Sequence, residues 1–130
     1  MQMRHHSVAP GRSPAEAALS TNGQELYVSS PAENAVVVID TARQIVTRRI
    51  SIGGQPGPLA VSPDGRHVYV GTFVGTLVVI DTEDKSTRGI AAGSRVMDLF
   101  ATPDGAFVYL ALLHGGLSRL HVANLSIEPL

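Results

Sequence analysis

A chain of 130 residues with 44% apolar residues and a net charge of -1 has the makeup of one globular domain. That charge balance offers no field to phosphate backbone or anionic lipid, so nucleic acid and membrane are excluded as expected partners. The lack of cysteine excludes disulfides, thiolate metal sites and Cys nucleophiles. The longest apolar run, AFVYLALL at 106–113, is eight residues, far short of the roughly 18 needed to cross a bilayer.

Taken in chain order, residues 1–12, MQMRHHSVAPGR, carry basic residues but no apolar stretch after them, and read as a tail rather than a secretion signal. The compartment is therefore left open, cytoplasmic if the sequence is complete. His5 and His6 are adjacent, and neighbours on a strand face opposite ways, so they do not make a joint metal site. A first unit, 13–56, contains the turn and strand STNGQELYVSS (20–30), then VVVIDT (36–41), then an outer strand bearing Arg48 and Arg49.

The second unit, 57–95, repeats this pattern with SPDGRHVYVGT (62–72) and LVVIDT (77–82). Its strands are expected at 57–62, 67–73, 75–81 and 86–92, with Pro63-Asp64-Gly65 as a tight hairpin in which Pro fixes φ and Gly takes the positive φ. The third unit, 96–130, has TPDGAFVYLAL (102–112) and a weaker LSRLHV (117–122). Gly23, Gly65 and Gly105 are 42 and 40 residues apart, as are Tyr27, Tyr69 and Tyr109.

Four short strands recurring about every 41 residues predict an all-β fold of propeller blades, three four-stranded antiparallel blades per chain. Runs such as VVVI and LVVI do not alternate, which suits sheets covered on both faces.

The stretch LYVSSPAENAVVVIDTARQIVTRRISIGGQP (26–56) resembles the YVTN-type β-propeller repeat, in which a Tyr-Val strand leads to V-x-V-I-D-T, an apolar strand and a Gly-x-x-Pro connection. The second copy is similar; in the third, His121 stands where Asp40 and Asp81 stand, Leu110 replaces Val, and Val96 replaces the connecting Pro. The resemblance covers about 13–124 and implies a fold rather than an activity, because the shared residues belong to turns and core.

Propellers close with four to eight blades, and an open stack of three would leave an apolar face at each end, a loss comparable with a domain's whole stability. The chain is thus expected to self-associate, as a homodimer giving six blades, or to be part of a longer protein. Aligning Pro14 with Pro56 makes RHHSVAPG (4–11) an outer strand without its own blade, while SIEPL (126–130) begins an outer strand and stops. The first is expected to be lent to a partner's last blade.

The chemistry-bearing residues have structural readings. Asp40 and Asp81 cap turn amides, Asp64 and Asp104 belong to hairpins, and His114-Gly115-Gly116 is a hairpin rather than an oxyanion loop, since no G-x-S-x-G accompanies it. No phosphate-loop, dinucleotide or zinc-protease spacing occurs, and no cofactor, metal or catalytic residue is assigned.

Blade geometry gathers the strand-four-to-one and strand-two-to-three connections on one face around the central channel. The candidate binding face there is Arg12, Glu16, Glu33, Asn34, Gln55, Phe73, Arg95, Asp98 and His114, in loops whose charges vary between repeats. The leading expectation is a non-enzymatic scaffold for a protein or small molecule. One alternative is a metal-dependent, lactonase-like hydrolase using Glu16, Asn34, Asp98 and His114; another is a fragment of a larger surface or periplasmic propeller protein.

Overall fold

The computed structural model describes residues 16–130. Its turns show why the repeat is written as it is. Ser20 Oγ donates to Asn22 Oδ1 at 2.8 Å, Ser62 Oγ to Asp64 Oδ1 at 2.6 Å, and Thr102 Oγ1 to Asp104 Oδ1 at 2.6 Å. The same oxygens accept the amides of Gln24, Arg66 and Ala106. Gly23, Gly65 and Gly105 each have φ of +75°, a conformation that strains a residue carrying Cβ.

These hairpins build three sheets. The first holds β1 (Ala17–Leu19), β2 (Glu25–Ser30), β3 (Ala35–Asp40) and β4 (Ile45–Ser51). The second holds β5 (Pro56–Val61), β6 (His67–Thr72), β7 (Thr76–Asp81) and β8 (Thr87–Ala91). The third holds β9 (Val96–Ala101), β10 (Phe107–Leu112), β11 (Leu117–His121) and β12 (Ser126–Pro129). Each sheet is antiparallel with its strands in chain order. They are the blades of a β-propeller. β5 begins at Pro56, one residue before the expected boundary.

Both faces of the middle blade are buried, which explains the non-alternating runs. Tyr27, Val36, Val38 and Ile50 of blade one interleave with Val68, Val70, Val78 and Ile80 of blade two. On the other side, Tyr69, Leu77 and Val79 meet Leu99, Val108, Leu110 and Leu120 of blade three. A polar clamp reinforces the first interface. The side chain of Lys85, only 11% exposed, puts Nζ 3.0 Å from Glu25 Oε1 and 5.7 Å from the Tyr27 ring centroid. It also donates to the Thr82 carbonyl, while Tyr27 OH donates to Glu25 Oε1 at 2.9 Å. Burial and the neighbouring Glu25 raise the Tyr27 phenol well above its ordinary range.

The expectation of an uncovered apolar face at each end holds in part, for Phe100 and Leu117 of blade three are exposed while blade one's outward residues are buried. On blade one's outward face Val28, Val37 and Ile39 are buried, with Leu26 and Val46 packed against them. On blade three's outward face the repeat pattern changes. The rows Ala18-Tyr27-Val38-Arg48 and Ala60-Tyr69-Val79-Arg88 become Phe100-Tyr109-Arg119-Glu128. Arg119 Nε donates to Glu128 Oε2 at 2.6 Å, and His121 Nε2 lies 3.0 Å from the same oxygen. β12 supplies the third sheet's fourth strand, so that sheet needs no lent one. The segment 4–11, to which that role was assigned, lies outside the described residues.

The turn carboxylates carry a pH dependence. Hydrogen bonds from the Arg43 amide, Ser62, Ser86 and Thr102 hold Asp40, Asp64, Asp84 and Asp104, respectively, below the usual carboxylate range. A carboxyl whose folded pKa is depressed stabilises the fold above its unfolded pKa and loses that contribution as pH falls through the folded value. Thermal melts followed by circular dichroism are expected to show Tm falling between about pH 5 and about pH 3. The Asp64→Asn/Asp104→Asn variant should start lower and change less across that window.

Candidate functional site

Antiparallel order places the strand-one-to-two and strand-three-to-four turns of every blade at one end, and the remaining connections at the other. The first strands, β1, β5 and β9, lie side by side as the hub. At the connection end of this hub, Glu16 precedes β1, Phe73 follows β6 and Arg95 precedes β9. Backbone hydrogen bonds seat all three: Ser29 N to Glu16 O at 2.8 Å, Phe73 N to Gln55 O at 2.9 Å, and Leu113 N to Arg95 O at 2.9 Å.

These side chains line one cavity of about 170 Å³, together with Gly57, Pro58, Val96 and Met97. A Cβ on Gly57 would lie 3.2 Å from Phe73 Cε1, so the bare glycine lets the ring rest against β5. Arg95 stacks on that ring, with Cζ 3.8 Å from the Phe73 centroid. Its Nε is buried without a hydrogen-bond partner, and the side chain makes no hydrogen bond or ion pair with any described residue. Glu16 is exposed and likewise makes no described ion pair. One cation and one anion thus stand uncommitted around an apolar wall.

The other candidates are placed differently. Gln55 is exposed, contributing its carbonyl to the Phe73 amide. Asp98 lies on β9 with Oδ1 accepting the Leu99 amide at 2.9 Å, and does not line the cavity. Glu33 accepts from Ser30 Oγ at 2.8 Å and pairs with Arg49 Nη1 at 3.6 Å. Asn34, at φ +52°, closes the short 3-10 turn Pro31–Glu33. His114 lines a separate cavity of about 430 Å³ beside β8, and its amide donates to Ser94 Oγ at 3.0 Å. Gly115 and Gly116 take φ of +100° and +73°, so this stretch is a hairpin. Arg12 lies outside the described residues.

Glu16, Asn34, Asp98 and His114 are therefore not brought to one place. Among the described residues no three His, Asp or Glu are grouped to hold a metal ion. A larger cavity of about 450 Å³ at the turn end is lined by Arg66, His67, Asp81, Thr82 and Glu83. Two of its polar side chains are engaged in turn formation: Asp81 Oδ1 accepts the Glu83 amide at 2.8 Å, and Thr82 Oγ1 donates to Gly65 O at 2.7 Å.

No protein-family model and no curated protein matches the chain. Among solved structures it is similar to Kuenenia stuttgartiensis hydrazine synthase, at 23% identity and a TM-score of 0.86, over 95% of this chain and 37% of that one. The chain spans well under half of that protein's length, and the likeness is one of fold. In all 711 solved chains match. A fold alone does not fix a function, which depends on particular side chains, often in loops.

The apolar wall was not read from the sequence. Pro58, Val96 and Met97 belong to the equivalent stretches GQPGP and SRVMD, where the third repeat loses the connecting proline. Met97, at the start of β9, is left 48% exposed, which only the folded chain reveals.

Proposed function

We propose that the chain is a non-enzymatic binding module, a β-propeller of the YVTN type, whose ligand enters the cavity of Glu16, Phe73 and Arg95. The observation that carries this reading is a half-buried guanidinium stacked on an aromatic ring with no acceptor among the described residues. Such a group is pre-ordered for a ligand and, unlike the turn carboxylates, contributes no hydrogen bond to the fold. A panel of small metabolites titrated into ¹⁵N-labelled protein tests it. Amide shifts should concentrate at Glu16, Phe73, Arg95 and Met97; shifts confined to the His114 cavity or to the turn end would refute it.

A second reading concerns self-association, and the observation favouring it is blade three's outward face. Phe100 and Leu117 are 60% and 56% exposed there, beside the oppositely charged Arg119 and Glu128. A face carrying apolar groups and both signs suits a second copy of itself across a twofold axis. We propose that two copies, six blades in all, meet through it. Light scattering should give twice the chain mass for the native protein and the chain mass for Phe100→Asp; native protein staying monomeric at high concentration would exclude the pairing.

A further inference from the structure

We infer that the hub cavity takes a small zwitterion, a carboxylate and an ammonium carried on one apolar stem, as in a free amino acid. This rests on the binding-module reading and specifies its ligand.

Arginine is charged at every accessible pH, and stacking on Phe73 fixes the plane of its donors. Arg119, the other half-buried arginine among the described residues, has its carboxylate 2.6 Å away in Glu128. Arg95 has none. In a partly desolvated site an incoming carboxylate gains more from such a donor set than it would in water.

Glu16 narrows the choice. It lines the same cavity without a described partner, so a simple anion meets like charge there and a simple cation meets Arg95. Like-charge juxtaposition discriminates as strongly as attraction does. A ligand bearing both signs satisfies both groups. Between them Pro58, Phe73, Val96 and Met97 offer an apolar wall, and Met97 is able to adapt to stems of different shape. The volume of about 170 Å³ admits a small molecule and not a drug-sized one.

Three probes of nearly the same shape separate the possibilities: leucine, 4-methylpentanoate, which lacks its amine, and isopentylamine, which lacks its carboxylate. Each is titrated into the ¹⁵N-labelled full chain. Leucine is expected to bind at Glu16, Phe73, Arg95 and Met97 roughly tenfold or more tightly than either single-charge analogue. Arg95→Gln should weaken leucine roughly ten- to hundredfold. Glu16→Gln should abolish the preference for leucine over 4-methylpentanoate.

The comparison on the unaltered chain decides the matter even if a variant folds poorly. Equal or tighter binding of 4-methylpentanoate or isopentylamine at these residues would overturn the zwitterion and leave the binding module standing. If none of the three probes and no compound of the metabolite panel shifts these amides, both readings fall.

Discussion

Replacing Gly71 by Ala is expected to cost about 3 kcal/mol and to lower Tm by roughly 10 °C. A Cβ there would lie 2.5 Å from Val96 Cγ1, 2.7 Å from Val96 Cβ and 3.1 Å from Pro58 Cγ. Contacts that short force something to move. Val96 is 1% exposed and β-branched, so its side chain has neither free space nor an easy rotamer, and its Cβ moves only with β9 itself. β6 and β9, neighbours from adjacent blades, must separate, loosening the packing around Leu99 and Leu110. Gly89 is the control: a Cβ there meets nothing within 4 Å, so Gly89→Ala should leave stability nearly unchanged. Urea melts measure both. Adding Val96→Ala to Gly71→Ala removes the Cγ1 contact but keeps the 2.7 Å contact with Cβ, so it should recover only a small part of the loss.

The second large effect sits at one repeat position occupied by Leu77 in blade two and Leu117 in blade three. Leu77 pairs with Gly71 and Leu117 with Ala111, and each faces the side on which a following blade packs. Leu77 is fully buried against blade three, whereas Leu117 is more than half exposed. Leu77→Ala removes buried methyl groups and opens a cavity, at a cost of about 3 kcal/mol. Leu117→Ala should change stability by less than about 0.5 kcal/mol when measured in dilute solution, where chains are apart. Equal losses at the two positions would mean that the blades are not stacked in this order.

Much of the fold was legible because it is written in residues with one physical use. The Gly of each first hairpin needs positive φ, the Asn or Asp before it holds two donors, and both recur with the strands that follow. The doubly apolar runs were equally readable, since a sheet packed on both sides buries Leu77, Val78, Val79 and Ile80 together.

What was missed depends on contacts between distant residues. The Lys85 clamp joins residues 60 apart in sequence, and nothing in the turn between β7 and β8 announces Glu25 or Tyr27 as its partners. The exposed end of blade three was expected to be apolar. Its departures are visible in the sequence as Arg119 and Glu128, but their meaning appears only when the register shows them sharing one face with Tyr109.

The candidate site divides along the same line. Topology alone put Glu16, Phe73 and Arg95 on one end of the blades, and they do meet. Topology put Glu33, Asn34 and His114 on that end too, but a neighbouring Arg49, a left-handed turn and a separate cavity take them out of the site. Asp98 shows a finer limit. It stands two residues beyond Val96 on β9, across the register shift at Ala111 and Leu112, so one irregular pairing decides which side chains reach the cavity.

Radial stacking of the three sheets underlies the cavity, the clamp and the free face alike, and a nuclear Overhauser spectrum of the full chain tests it most directly. The account predicts cross-peaks between the Gly71 α-protons and the Val96 methyl groups, and between the Lys85 side chain and the Tyr27 ring. Strong cross-peaks within each sheet, with both of these missing, would contradict it.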